Sequence, residues 1–249
     1  MPESGTTTRI ALLGEFALRN GVGPVSLPTA SRRLLALLVI RERPVPRSHV
    51  SGVLWPDLPE ERAWANLRTA LWQVRRQAPD AVEAAEGQLA LGSCVSVDLY
   101  ELRSLAVRGL DGAAPPSPGD RAEVIDGLVN AERLLPDWDE PWLTGERNHV
   151  NELRVRALET LCEQCIADGD FTRAAVAGLA AVAVDPFRES AHRALIRLDI
   201  AEGNLGVAAQ RYQSFARTLR ADLGLAPSPH MAQLMTELVS HPRSNRAAS

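Results

Sequence analysis

The stretch 62-RAWANLRTALWQVRRQ-77 reads as a helix that must satisfy two environments. At about 100° per residue, Ala63, Leu67, Ala70, Leu71 and Val74 fall on one face, an ordinary core stripe. The opposite face carries Arg62, Ala65, Thr69, Trp72, Gln73 and Arg76, with Arg68 and Arg75 on one flank. A solvated helix face usually mixes acids with bases. This one has no acid after Glu61, and it displays a tryptophan. Such a face calls for a partner.

The flanking sequence supplies a setting. Residues 9–28, "RIALLGEFALRNGVGPVSLP", alternate and are broken by "NGVG", which predicts short strands joined by a turn. "TASRRLLALLVIRER" predicts a helix with Ser31 or Thr29 as its cap, ended by Pro44 and Pro46. "RSHVSGVLWPD" predicts a short helix with Ser48 near its start and Pro56 beyond its end. Glu60 and Glu61 then open the quoted helix at the favourable end of its macrodipole. "GQLALGSCVSVD" predicts a closing hairpin. Strands, three helices and a hairpin make the winged helix-turn-helix plan, whose last helix enters the major groove. The long turn before "EERAWANL" favours the response-regulator (OmpR-like) variant, with its N-terminal sheet, over the compact repressor form.

Charge distribution agrees. The net charge of the 249-residue chain is −4, which by itself argues against nucleic acid. All 27 basic residues are arginine, however, and they are unevenly placed. Up to Ala78 there are 11 Arg against 6 acids, and from Pro79 onward 16 Arg against 25 acids. A basic first part is masked by an acidic second part, and local charge makes the electrostatic footprint. No run approaches the ~18 apolar residues that span a bilayer. "MPESGTTTR" has no basic region followed by an apolar one, so no secretory signal is expected. Three cysteines without framework spacing suit a reducing compartment. A cytoplasmic protein with no membrane partner is the expectation.

Beyond Asp98 the strand pattern stops and a repeat begins. "ADGDFTRAAVAGLAAVAVDP" and "AEGNLGVAAQRYQSFARTL" align with Gly169 over Gly203, Ala174 over Ala208 and Ala175 over Ala209. The offset is 34 residues, the tetratricopeptide period. Small residues at these places let paired helices approach, and stacked pairs bury one continuous core. "PDWDEPWLTGERNHVNELRVRALETLCEQCIADGD" predicts an earlier long helix, with Trp138 and Trp142 packing it against the first repeat. The expected divisions are a flexible 1–8, a winged-helix domain 9–97, an all-α tetratricopeptide-like domain 98–240 and a flexible 241–249.

Two resemblances meet here. "LLGEFALRNGVGPVSLPTASRRLLALLVI", "LWPD" and "ANLRTALWQVRR" resemble the winged-helix domain of the AfsR/SARP family of actinobacterial antibiotic regulators. "LLPDWDEPWLTGERNHVNELRVRALETL", "AVDPFRESAHRALIRL" and "ADLGLAPSPHMAQL" resemble that family's bacterial transcriptional activator domain. The resemblance implies an activator that binds direct repeats of double-stranded DNA at promoters, contacts RNA polymerase holoenzyme there and controls secondary-metabolite genes. A homodimer fits such operators. Larger members append an ATPase; this chain shows no G-x-x-x-x-G-K-[ST] loop, which implies a short, ATP-independent form.

The outer face of the quoted helix then has an expected use. Arg68, Thr69, Trp72 and Arg76 are the base-reading candidates: arginine can bond guanine O6 and N7 together, and Thr methyl or Trp can pack on thymine methyl groups. Arg62, Arg75 and Gln73 are expected on phosphate, with Ser48, Arg47 and Arg32 as further phosphate contacts. A solvated arginine face is the alternative, and for Trp72 packing on a neighbouring strand or second subunit is another. Trp64, nearer the inner stripe, is expected in the core. The wing departs from the family. "GQLAL" stands where a basic or aromatic residue is usual near "GYRL", and residues 77–102 contain no Lys or Arg. Asp80, Glu83, Glu86, Asp98 and Glu101 are acidic there, so weaker or more cooperative binding is expected, with Gln88→Ala leaving binding intact.

Nothing points to catalysis. Cys162 and Cys165 have C-x-x-C spacing but lie in a helical pattern with no second ligand pair, so buried helix residues are expected rather than a metal site. His49, His149, His192, His230 and His241 are scattered without ligand spacing. "PDWDEP" reads as a helix entry, and no cofactor is implied. Two other readings stay open. One is a tetratricopeptide-like interaction scaffold, which the cation-free wing favours; the other is an operator-competing repressor or antagonist.

Overall fold

A computed structural model describes residues 8–240, and the side chains to residue 234. The expected flexible ends lie outside the described residues, except for Thr8, which is buried and whose carbonyl accepts from the Ser96 N–H at 2.9 Å. The chain forms two compact units. Of the described residues, the first comprises those up to 102 with 132–148, and the second comprises 103–131 with those from 149 onward. Unlike a single cut at residue 98, this division returns 132–148 to the first unit.

The first unit begins with β1 (Arg9–Ala11), β2 (Ala17–Asn20) and β3 (Gly23–Val25), as the alternation predicts. With β7 (Ser96–Val97) they make a sheet in the order β3-β2-β1-β7, in which β7 is parallel to β1. The helices follow as α1 (Thr29–Arg41), α2 (Arg47–Leu54) and α3 (Glu60–Gln77). Residues Leu34 to Val39 of α1 are buried without interruption. A helix apolar on all sides belongs at the centre of a domain, and α1 occupies that place. Neither expected cap serves α1: Pro28 holds the N-cap position without a side-chain bond, and Ser31 is fully buried.

The wing is also displaced from its expected position. The hairpin is formed by β5 (Val82–Ala85) and β6 (Gln88–Leu91), with β4 (Val45–Pro46) as third strand in the order β4-β6-β5. Ala85 pairs with Gln88, so Glu86 and Gly87 form a two-residue turn, and both have positive φ (50° and 77°). That is the backbone of the tight hairpin turns whose twist matches the strands. "SVD", expected in the hairpin, instead gives β7 and opens α4 (Asp98–Leu110). The Asp98 carboxylate accepts from the backbone N–H groups of Leu12, Leu13 and Leu99 at 2.7–3.1 Å.

Segment 132–148 completes this unit. Gly14 N donates to Arg133 O, Leu135 N donates to Leu12 O, and Trp138 stacks on Phe16 with centroids 5.9 Å apart. Arg33 of α1 pairs with Glu140, whose other bond comes from Trp142 Nε1. Trp138 therefore stacks on Phe16 of the first unit, just before β2, and not on the first repeat as expected.

The second unit is helical among its described residues. It contains α5 (Pro118–Asn130), most of α6 (Pro141–Ala167), α7 (Phe171–Val184), α8 (Glu189–Ala201), α9 (Leu205–Leu223) and α10 (Pro229–Ser240). The 34-residue repeat is visible in the backbone and the buried positions. Asp170 and Asn204 stand at the N-cap positions of α7 and α9, and Ala174 and Ala208 are both fully buried. Gly169 and Gly203, at φ 75° and 80°, each turn the chain out of the preceding helix in the left-handed conformation that glycine adopts without strain. Cys162 and Cys165 are buried and free, as expected of helix core residues, and burial pushes the Cys162 thiol up to about 12.

Candidate nucleic-acid interface

The periodicity that predicted α3 predicted its burial correctly. Ala63, Leu67, Ala70, Leu71 and Val74 are buried, and Ala70 is tied to the centre of the unit by Ser31, whose hydroxyl donates to its carbonyl at 3.2 Å. The far end is held by Asn20: its Nδ2 donates to the Gln77 carbonyl at 3.0 Å, while its Oδ1 accepts from the Val22 and Gly23 N–H groups. The β2–β3 turn and α1 thus fix α3 at two points along its length. Sequence reading missed both anchors, although "NGVG" did mark Asn20 as a turn residue.

The outer face is open. Arg62, Arg68, Thr69, Trp72, Arg75 and Arg76 are exposed and Gln73 is half-buried. Trp72 keeps 56% of its surface exposed, which sets aside the expectation that a strand of this chain covers it. Its ring lies beneath the Arg76 guanidinium at 5.4 Å. Thr69 donates its hydroxyl proton to the Ala65 carbonyl at 3.0 Å, leaving its methyl group and lone pairs for other contacts. No carboxylate pairs with Arg62, Arg68, Arg75 or Arg76 among the described residues, although other arginines of the chain do find acids. Arg68, Thr69, Trp72 and Arg76 fall within roughly 100° of helix surface. The structure brings these four together.

The remaining candidates are distributed differently. Ser48 is exposed in the first turn of α2, and the amide of Arg47 donates to the wing carbonyl of Gly87 at 3.1 Å. The Arg47 side chain is half-buried, with Nε enclosed and without a partner. Arg32 is half-buried too, and its Nε donates to the Leu27 carbonyl at 2.7 Å, so one edge of that guanidinium anchors the entry to α1. Trp64, expected in the core, is half-buried with its indole N–H directed at Glu60 (3.3 Å). The helix turns it partly toward solvent near its N-terminal end, where the Glu60 carboxylate accepts the indole hydrogen bond.

Of the acids expected to weaken the wing, three have internal work. Asp98 holds backbone amides, Glu101 pairs with Arg9 at 2.8 Å, and Glu83 accepts from the Ser93 N–H at 3.0 Å. Glu86, at the turn itself, is exposed, and so is Gln88. No helix among the described residues is long and apolar enough to cross a membrane, and no cluster of His, Cys, Asp or Glu there could hold a metal ion.

Comparison with known proteins adds a domain match, similar regulators and a fold. Residues 121–239 match the family described as Bacterial transcriptional activator domain. The chain is similar to Regulatory protein AfsR of Streptomyces coelicolor, at 28% identity over 90% of this chain, and to its namesake in Streptomyces griseus, at 25% over 96%. It spans about a quarter of the length of these relatives (24% and 25%). Among solved structures, Mycobacterium tuberculosis EmbR in complex with a low-affinity phosphopeptide superposes with a TM-score of 0.77 at 23% identity. That match covers 94% of this chain and 65% of the EmbR chain, and it establishes a shared fold.

Proposed function

We infer that this chain, whose residues 121–239 match the bacterial transcriptional activator domain and which is similar to the AfsR regulatory proteins, is a transcriptional regulator of the AfsR/SARP type, a sequence-specific DNA-binding activator that reads promoter DNA with α3. One observation carries the reading: an exposed stripe of arginine and tryptophan without carboxylate partners, on a helix whose reverse face is core.

A helix of ~10–12 Å diameter fits the ~12 Å major groove. Arg68 and Arg76 are eight residues apart, or roughly 12 Å along the helix axis. At about 3.4 Å per base pair they would reach bases three to four steps apart. Each is a candidate for bidentate recognition of guanine, worth ~1–3 kcal/mol of discrimination. Thr69 and Trp72 lie between them and suit thymine methyl groups. The stack of Arg76 on Trp72 pre-orients the guanidinium and lowers the entropy lost on binding. Arg62, Arg75 and Gln73 would meet phosphate, with Ser48, Arg47 and the uncovered edge of Arg32 as a second set.

The wing contributes little in this scheme, because Glu86 and Gln88 offer no cation to the minor groove. Affinity then rests on α3 and on a second protomer. Direct repeats would place protomers head to tail, a heterologous arrangement. RNA polymerase is the proposed further partner, and the nucleoid of the cytoplasm the proposed location. Control of secondary-metabolite genes is proposed from the family.

A salt titration on an operator fragment tests the DNA-binding part. The slope of log affinity against log salt, divided by about −0.9, counts the phosphates neutralised, and a slope near zero would contradict the reading. Transcription in vitro from the bound promoter distinguishes an activator from an antagonist that occupies the same site. The cation-free wing favours, as a second reading, a scaffold that has lost DNA binding; for that protein no fragment would be enriched at any salt concentration.

A further inference from the structure

We propose that the helical unit carries a binding site for a small amphipathic organic acid, a molecule with an aromatic or alkyl body and one carboxylate, in the cavity along α9. The cavity has a volume of about 480 Å³, within the ~300–1,000 Å³ usual for small-molecule sites.

Its floor is apolar and fixed. His192 of α8 stacks on the buried Phe215 of α9, with ring centroids 4.2 Å apart and planes 30° from parallel. The ring is also held at its edge by a 2.9 Å bond between Nε2 and the Pro186 carbonyl. A carbonyl only accepts, so Nε2 carries a proton in this bond. Burial lowers the His192 pKa and so favours the neutral ring. Val182, at the end of α7, and Val207 extend the apolar surface on either side, and Val207 is 46% exposed.

Its charge is positive and sits in one place. Of the two arginines lining the cavity, Arg211 is engaged by Asp199, with a 2.7 Å bond from Nε, and is neutralised there. Arg217 is exposed; its Nε reaches only the Gln213 carbonyl at 3.4 Å, and no carboxylate pairs with it among the described residues. Ser214 and Thr218 lie one helical turn apart on the same rim. An apolar floor, one uncompensated guanidinium and two hydroxyls define the complement of an amphipathic carboxylate. A cationic or doubly charged ligand is not matched.

Naphthoate, which is fluorescent, and its uncharged isostere naphthamide are suitable probes of the full chain in the absence of DNA. Naphthoate should bind saturably at one site per chain and more tightly than naphthamide. Arg217→Gln should weaken naphthoate about tenfold, the effect of one charge-assisted hydrogen bond, and leave naphthamide unchanged. Ser214→Trp, a substitution at an exposed position, should fill the cavity and abolish binding of both probes. Circular dichroism should be unaltered in both variants. The proposal is overturned by non-saturable naphthoate binding, by equal affinity in Arg217→Gln, or by retention of binding in Ser214→Trp. None of these readings depends on whether α3 binds DNA.

Discussion

The Arg76 guanidinium lies 5.4 Å above the ring of Trp72, and both side chains project from the exposed side of α3. Neither supports the core. Replacing Trp72 with alanine should change unfolding free energy by no more than ~0.5 kcal/mol, as for other surface positions. The same change removes a stacking surface and frees Arg76, so operator affinity should fall about tenfold. Urea denaturation and fluorescence anisotropy on labelled DNA check the two halves separately.

The bond from Ser31 to the Ala70 carbonyl has the opposite character. It is buried, and it connects α1 to the middle of α3. Ser31→Ala should cost ~1 kcal/mol, because the carbonyl at position 70 retains its helical partner while the hydroxyl contact is lost. A fall of that size in the urea-derived free energy, with the slope unchanged, is the expected result. Asp98→Asn should cost more, ~1–3 kcal/mol, since it weakens a charged acceptor serving Leu12, Leu13 and Leu99.

His192 makes the second unit sensitive to acid. Burial lowers its pKa below the usual 6.5, and the nearby Arg211 pushes in the same direction, against partial opposition from the Pro186 carbonyl and Asp185. The unfolded chain therefore takes up this proton at a higher pH than the folded one. The stabilisation is complete above about pH 6.5 and is lost as pH falls toward the depressed folded value. Thermal unfolding followed from about pH 7 to about pH 5 should show a steeper loss in wild type than in His192→Gln, in which nothing titrates at that position.

The three cysteines should separate cleanly. Cys94 is exposed, whereas Cys162 and Cys165 are buried with their thiols pushed up. Alkylation of the native chain near pH 8, read by mass spectrometry, should label Cys94 alone, and all three should react in denaturant.

Much of this architecture was legible because it is local. The inner stripe of α3 follows from a 3.6-residue period, and the 34-residue repeat extends to the glycine turns at Gly169 and Gly203 and the N-cap positions Asp170 and Asn204, although only Asp170 caps with its side chain. The errors arose where partners distant in sequence decide. "VEAA" lacks the β-branched alternation of a strand, yet it is held in the wing by pairing with β6, whereas "SV" was drawn into the other sheet by β1. Trp138 read as part of the repeat domain because Phe16, 122 positions away, gives no local signal. Ser31 had the chemistry of a cap, but its hydroxyl found Ala70 in the core instead. At the candidate interface, sequence identified the residues on one face of α3; only the structure could show that their arginines lack acidic partners and that Arg32 has an internal one.

The most direct test of the central claim is a genomic-fragment pull-down with purified protein, run beside the Arg68→Ala/Arg76→Ala double variant. If α3 reads base sequence, wild type enriches a repeated motif and the double variant, folded equally well, does not. Enrichment of the same motif by both proteins, or of none by either at low salt, would contradict that account.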